Sequence, residues 1–179
     1  DTESVSTKDS LDTSRSGSKE EEDSSIPQGP LEGITIVDLS MGWAGPLATR
    51  NLADLGATII KIESCTRFDW FRSWEASQEW IDNNGAEKEV RFINLNRNKL
   101  DVTLDFESKV GRDLLLRLVA KADAVIENYS GGVLPKLKLN YPVLREVNPK
   151  LVMVSMPAFG GTGPWAKFRA YGSTVEQSA

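Results

Sequence analysis

Apolar residues in this chain gather into short, almost unbroken runs set off by Gly, Pro and Asn. Residues 34–39 form the first run, nearly filled by Ile34, Ile36, Val37 and Leu39, as in a parallel strand covered on both faces. Residues 40–46 read as a turn, with Pro46 in a first helical turn where its missing N–H costs nothing. Residues 47–55 predict a helix with Ala48, Leu52 and Leu55 on its inner face and Arg50, Asn51 and Asp54 towards solvent. Gly56 follows where a left-handed cap is needed. Thr58–Glu63 is a second buried strand, and so short a connection between parallel strands is expected to be right-handed. A strand–turn–helix–strand unit of this kind carries a ligand crevice at the end of its first strand.

Residues 64–90 show no clear period and include Trp70, Phe71, Trp74 and Trp80. Residues 92–105 pass from an Asn/Arg/Lys cluster to a strand-like ending. Ser108 is placed to cap a helix running to about Lys121, with Leu114, Leu115, Leu118 and Ala122 on its inner face. Ala124–Glu127 is a strand, and 128–132 a turn opening a short helix. Asn140 caps another helix with Pro142 early in it, 151–156 is a strand, and 159–165 a flexible loop. Residues 167–179 read as the opening of a further helix. At least four strands therefore alternate with four helices. That pattern predicts an α/β fold: a Rossmann-like, open, mostly parallel sheet with helices on both faces. Ligands would bind beyond the carboxyl ends of its strands, where segments 41–45, 64–67, 128–132 and 159–163 fall.

Composition divides the chain. At 40% hydrophobic and 26% charged it is globular on average, yet residues 1–28 have only Val5, Leu11 and Ile26 as large aliphatics. Such a segment cannot offset its ordering entropy, so 1–28 is expected to be a disordered, acidic, Ser-rich tail or linker and 29–179 the folded part. The tail has no apolar h-region and few Arg, unlike a secretory or transit signal. The chain has no initiating Met and stops within an opening helix, so a piece of a longer protein, truncated at its carboxyl end, is expected. No run approaches the length of a membrane-spanning helix, and a net charge of −5 offers no basic surface for nucleic acid. A cytoplasmic protein is the default. Cys65 is alone, so no intrachain disulfide or cysteine metal cluster is expected. The absence of His removes Ser–His and Cys–His nucleophile pairs and His-ligated metals.

Residue types leave several chemical readings open. Gly42 and Gly45 in the first turn are not a G-x-G-x-x-G, so the dinucleotide fingerprint is absent. The turn either touches a ligand or is simply shaped by Gly45 and Pro46. Glu63 stands where a ribose-binding acid would stand. Arg97 and Lys99 could hold phosphates while Asn94, Asn96 and Asn98 fix a purine or pantetheine; the other reading is a solvated loop with Asn in left-handed turns. Asn128 could bond an amide of a bound chain, or be a turn Asn. Lys136 and Lys138 suit phosphate or a solvated helix face. The tryptophans suit an adenine or acyl pocket, or core packing.

Taken together, the blocks PLEGITIVDLS, WAGPLATRNLADLGATIIKIE, NLNRNKLDVTLD, GRDLLLRLVAKADAVIENY and NPKLVMVSMPAFGGTGPW resemble the family III CoA-transferases, in the family's order and spacing. This is the group around formyl-CoA transferase, carnitine CoA-transferase and α-methylacyl-CoA racemase. The resemblance implies a CoA-binding domain of a two-domain, interlocked homodimer and a CoA transfer between acyl-CoA and a carboxylic acid, with no metal. In the family an aspartate attacks the thioester to form a mixed anhydride, then an aspartyl-CoA thioester. That aspartate is expected beyond Ala179, and Asp38, Asp54, Asp105 and Asp123 are not candidates.

By position, Trp43 and Ala44 would face the acyl group, although many relatives carry Gln in place of Trp43. Ser64 stands where an Arg often contacts the CoA phosphates, a contact that would be either lost or supplied by Arg67. Asn98 and Lys99 would lie along the nucleotide, Asn128 and Tyr129 near the pantetheine arm, and Lys136 near the adenosine phosphates. The racemases' His-Asp pair is replaced by Tyr171-Gly172, which counts against racemase or lyase chemistry. A non-catalytic CoA-binding half of a fused or heteromeric enzyme is the further alternative. The tail would be either a linker from an upstream fused unit or an amino-terminal extension.

Overall fold

The computed structural model describes residues 29–64, 66–73 and 77–178. The tail, Cys65 and Trp74 lie outside these residues. Chain order is β1 (Thr35–Asp38), α1 (Ala44–Asp54), β2 (Thr58–Glu63), α2 (Gln78–Asp82), α3 (Gly85–Lys88), α4 (Val90–Asn96), β3 (Lys99–Thr103), α5 (Lys109–Val119), β4 (Ala124–Glu127), α6 (Val133–Lys136), α7 (Tyr141–Val147), β5 (Val152–Ser155) and α8 (Gly172–Ser178). The strands form one sheet ordered β3-β2-β1-β4-β5. All four pairings are parallel, with Ile36 opposite Ile59 in β2 and Ala124 in β4. The α/β class, the open sheet and its covering on both faces are as the apolar runs imply.

Alternation along the strands divides the core. Val37, Leu39, Ile62 and Val125 meet Leu115, Val119, Leu134 and Leu144 from the α5–α7 side. Ile36, Ile59 and Ile126 meet Ala53 and Ala57 on the α1 side. The strand order reverses between β1 and β4, the place where open α/β sheets bind ligands.

Five local expectations need correction. Helix α1 begins at Ala44 and buries Gly45, Pro46, Thr49 and Ala53, while Leu55 is 46% exposed. Its amino-terminal half lies so close to Ser40 that a Cβ at Gly45 would overlap that side chain, so small residues make this contact. In α5 the buried stripe is Gly111, Leu115 and Val119, continued by Ala122, and Leu114 is 40% exposed. Gly111 packs directly under the Asp105 carbonyl, which sets the helix rotation. Residues 92–96 belong to α4, which buries Phe92 and Leu95 one turn apart. The aperiodic stretch contains α2 and α3, too short for a periodic signal. Ser108 does cap α5, accepting the Gly111 N–H at 3.0 Å, and Gly56 has φ +101°. Asn140 makes no side-chain cap bond.

Candidate functional site

The turn after β1 is held from both sides. Asn128, just past β4, accepts the Met41 N–H at 2.9 Å and donates to the Met41 carbonyl at 2.7 Å. Asp69, in the loop after β2, accepts the Gly42 N–H at 3.1 Å and the Phe71 N–H at 3.0 Å. Lys61 Nζ, inside β2, reaches Asp69 at 3.3 Å and the Ser40 carbonyl at 2.8 Å. Gly42 has φ +74°, and a Cβ there would overlap the Trp70 indole. Trp70 in turn lies 4.8 Å from the Tyr171 ring. Beyond β4, a Cβ on Gly131 would stand 3.2 Å from the Ala166 carbonyl oxygen, so the loop after β5 also meets this edge. The ends of β1, β2, β4 and β5 therefore meet at the carboxyl edge of the sheet.

Under this turn lies a closed polar network. Asp38 accepts hydrogen bonds from the Ser40 hydroxyl, from Thr49 at 2.6 Å and from Lys99 at 3.0 Å. Burial raises the Asp38 pKa, but Lys61, Lys99 and the two hydroxyls outweigh it and hold the carboxyl below its ordinary value. Lys99 also donates to the Pro46 carbonyl at 3.0 Å and Asn96 at 2.8 Å, so its three ammonium protons have acceptors. Burial brings Lys99 down to about 8, against the pull of Asp38.

The expected site residues separate by position. Trp43 is 60% exposed beside Phe71, and Ala44 opens α1, whose first turn has no side-chain cap and no acid. Tyr129 packs against the α5–α7 core, and its hydroxyl pKa is raised by burial and then by Glu127. Lys136 is exposed at the end of α6, beyond β4. Arg67 is 72% exposed and bonds Glu107 at 2.6 Å. With Ser64, Thr66, Asp105, Phe106 and Glu107 it lines a polar pocket of about 110 Å³ at the ends of β2 and β3.

Two positions depart from the expected grouping. Lys99 is enclosed, its side chain 1% exposed. Asn98, the turn residue just before β3, is in the left-handed region (φ +60°) and donates to Asp54 at 2.9 Å, beside Arg97. Asp54 ends α1, which runs back from the carboxyl edge, so Asn98 stands at the opposite edge of the sheet. Glu63, the residue at the ribose-binding position, is committed to Arg72 Nε at 2.7 Å. Arg72 also bonds Asp101 at 3.1 Å and the Ala86 carbonyl at 3.2 Å, and it lies 3.5 Å over the Phe92 ring.

Asp69, Lys61 and Arg72 escaped the sequence reading. A Lys inside the apolar run of β2 was the one available signal for Lys61, because a strand buried on both faces must neutralise it. Among the described residues no group of three or more His, Cys, Asp or Glu could hold a metal, and no helix is long and apolar enough to cross a membrane. A larger concavity of about 500 Å³ lies along the outer flank of β5, lined by Tyr141, Leu151, Val152, Met153 and Ser155 and by none of the expected residues.

An open parallel sheet with helices on both faces and post-strand turns joined at one edge defines an α/β domain of the doubly wound type. Within that class the chain belongs to CoA-transferase family III, whose sequence profile matches residues 31–179. It is 38% identical over 149 residues to a succinate–glutarate CoA-transferase from Agrobacterium fabrum, covering 82% of this chain and 37% of that protein. It is 35% identical over 150 residues to an acetyl-CoA:oxalate CoA-transferase from Acetobacter aceti, with coverages of 84% and 37%. Among solved structures, a CAIB/BAIF family protein from Brucella suis matches with 37% identity and a TM-score of 0.72, over 85% of this chain and 39% of that one. The chain thus spans roughly a third of the curated relatives it matches.

Proposed function

We propose that residues 29–179 are the CoA-binding part of an enzyme that moves CoA between an acyl-CoA thioester and a carboxylic acid. The observation that carries this reading is the joined edge at the β1/β4 strand-order reversal, in a chain of this family. Relatives named for the acetyl-CoA:oxalate and succinate–glutarate exchanges support a thioester and a free acid as the two substrates. Trp43 and Ala44, at the uncapped start of α1, face the acyl thioester. Asn128 keeps one amide proton beyond its two bonds to Met41 and, with Tyr129, flanks the pantetheine arm. Arg67 and Lys136, both exposed, meet phosphates. Lys99 and Asn98 support the scaffold rather than touch the ligand.

An aspartate from polypeptide beyond residue 179 supplies the nucleophile. Its carboxylate attacks the thioester carbonyl and the C–S bond breaks, leaving an acyl-aspartyl anhydride and CoA thiolate. The thiolate attacks the aspartyl carbonyl and releases the first acid, leaving an aspartyl-CoA thioester. The acceptor carboxylate attacks that thioester and expels the thiolate, leaving an acceptor–aspartyl anhydride; the thiolate then attacks the acceptor's carbonyl, giving the new acyl-CoA and freeing the aspartate carboxylate. The working enzyme is an interlocked homodimer in the cytoplasm. Purified complete polypeptide, incubated with acetyl-CoA or succinyl-CoA and oxalate, glutarate or malate, will form the acceptor's CoA thioester on chromatography. Absence of any exchanged thioester across this panel overturns the reading.

A further inference from the structure

Asp69 and Lys61 form an ion pair at 3.3 Å in which both side chains are 1% exposed. Removing two opposite charges from water costs more than an apolar pair of similar volume would, so stability alone does not account for the pair. What the pair does is visible in its remaining bonds. Both Asp69 oxygens meet the Gly42 N–H, at 3.1 Å each, and Lys61 meets the Ser40 carbonyl at 2.8 Å. The pair thus grips the backbone on both sides of Met41, while Asn128 grips Met41 itself. Gly42, at φ +74° and against the Trp70 ring, has no room to shift towards that side. The next two residues, Trp43 and Ala44, start α1 without a side-chain cap from Trp43.

We infer that Asp69, held by Lys61, is a positioning residue that sets where the Trp43–Ala44 turn stands against the reacting thioester. This rests on the CoA-transfer reading above. Asp69 touches no reacting atom; it acts through the Gly42 N–H. A displacement of the turn by a fraction of an ångström misaligns the acyl group, whereas Arg67, paired with Glu107, and Lys136, at the end of α6, make no bond to that turn. Such an effect falls on turnover and not on substrate capture.

The test uses the complete natural polypeptide with succinyl-CoA and glutarate, and with acetyl-CoA and oxalate. Asp69→Asn is expected to lower kcat by about 10- to 100-fold with KM for the acyl-CoA within about threefold of wild type. Asp69→Asn deprives buried Lys61 of its hydrogen-bonded carboxylate and leaves it the Ser40 carbonyl, so the double variant Asp69→Asn/Lys61→Met is measured beside it. Neutralising both partners removes the uncompensated charge and is expected to recover part of the melting temperature, the rest being the loss of the Lys61 bond to the Ser40 carbonyl and of its field at Asp38. The inference expects kcat to stay low in the double variant even where its melting temperature exceeds that of Asp69→Asn. Wild-type kcat in a stable double variant overturns it, since the pair would then have served the fold alone. An equal loss in KM and kcat overturns it too. A wild-type protein that exchanges no thioester overturns the functional reading and the inference together, whereas wild-type exchange matched by Asp69→Asn overturns the inference alone.

Discussion

Glu63 ends β2 with one carboxylate oxygen on Arg72 Nε at 2.7 Å and the other, Oε1, buried without a hydrogen-bond partner. Burial first, and then the neighbouring Asp101, push its pKa up to about 7, with Lys61 and Arg72 pulling the other way. The folded protein therefore holds this proton more tightly than the unfolded chain does. The stability that Glu63 contributes is complete below its unfolded value and is lost as pH rises through about 7. Thermal melting at about pH 5 and about pH 8 is expected to show a fall in wild type that is smaller in Glu63→Gln. Equal falls in the two proteins would count against a raised Glu63. Asn128→Ala would strip both partners from the Met41 main chain, and a loss of about 1–3 kcal/mol in urea unfolding is expected.

Helix α5 shows how far periodicity reaches. Its existence, its span and its Ser108 cap were legible, because an apolar 3.6-residue period and a Ser before it are local signals. Its rotation was not, since Leu114 and Leu115 fit the apolar stripe equally well. The close seating of Gly111 on the Asp105 carbonyl turns Leu115 inward. Leu115→Ala should therefore cost about 2–5 kcal/mol and Leu114→Ala well under 1 kcal/mol in the same unfolding measurement. A larger cost at Leu114 would contradict the observed face. In α1 the legible signals again gave the helix and misplaced its inner stripe. Large aliphatics marked Leu52, which does pack against the α1-side core, and Leu55, which is exposed, whereas the sheet is approached most closely by Gly45, Thr49 and Ala53. Close helix–sheet contact favours small side chains, which hydrophobic patterning underweights.

For the chain as a unit, the candidate site was partly readable. Turns 41–45, 64–67, 128–132 and 159–163 were marked by their place after apolar runs; Asn128 joins the first of these turns to the third, whereas Gly42 is held by Asp69, just past 64–67. Asn98 and Lys99 shared a polar cluster with no hint that one faces the far edge and the other is sealed under the site. Because the chain spans roughly a third of its curated relatives, the purified 179-residue chain is expected to give no CoA transfer with the substrate panel above. Detectable turnover by this piece would place the attacking carboxylate within it.

Apolar runs, their punctuation by Gly and Pro, and the caps were enough to settle the α/β class, the positions of the strands and which turns follow them. These follow from interactions within a few residues of each other, so they can be read along the chain. The β3-β2-β1-β4-β5 order, the rotation of each helix and the capture of Gly42 by Asp69, 27 positions away, needed the packed molecule. Each depends on which distant surfaces exclude water together, and buried charges such as Lys61 and Asp69 acquire their partners only when that exclusion is complete.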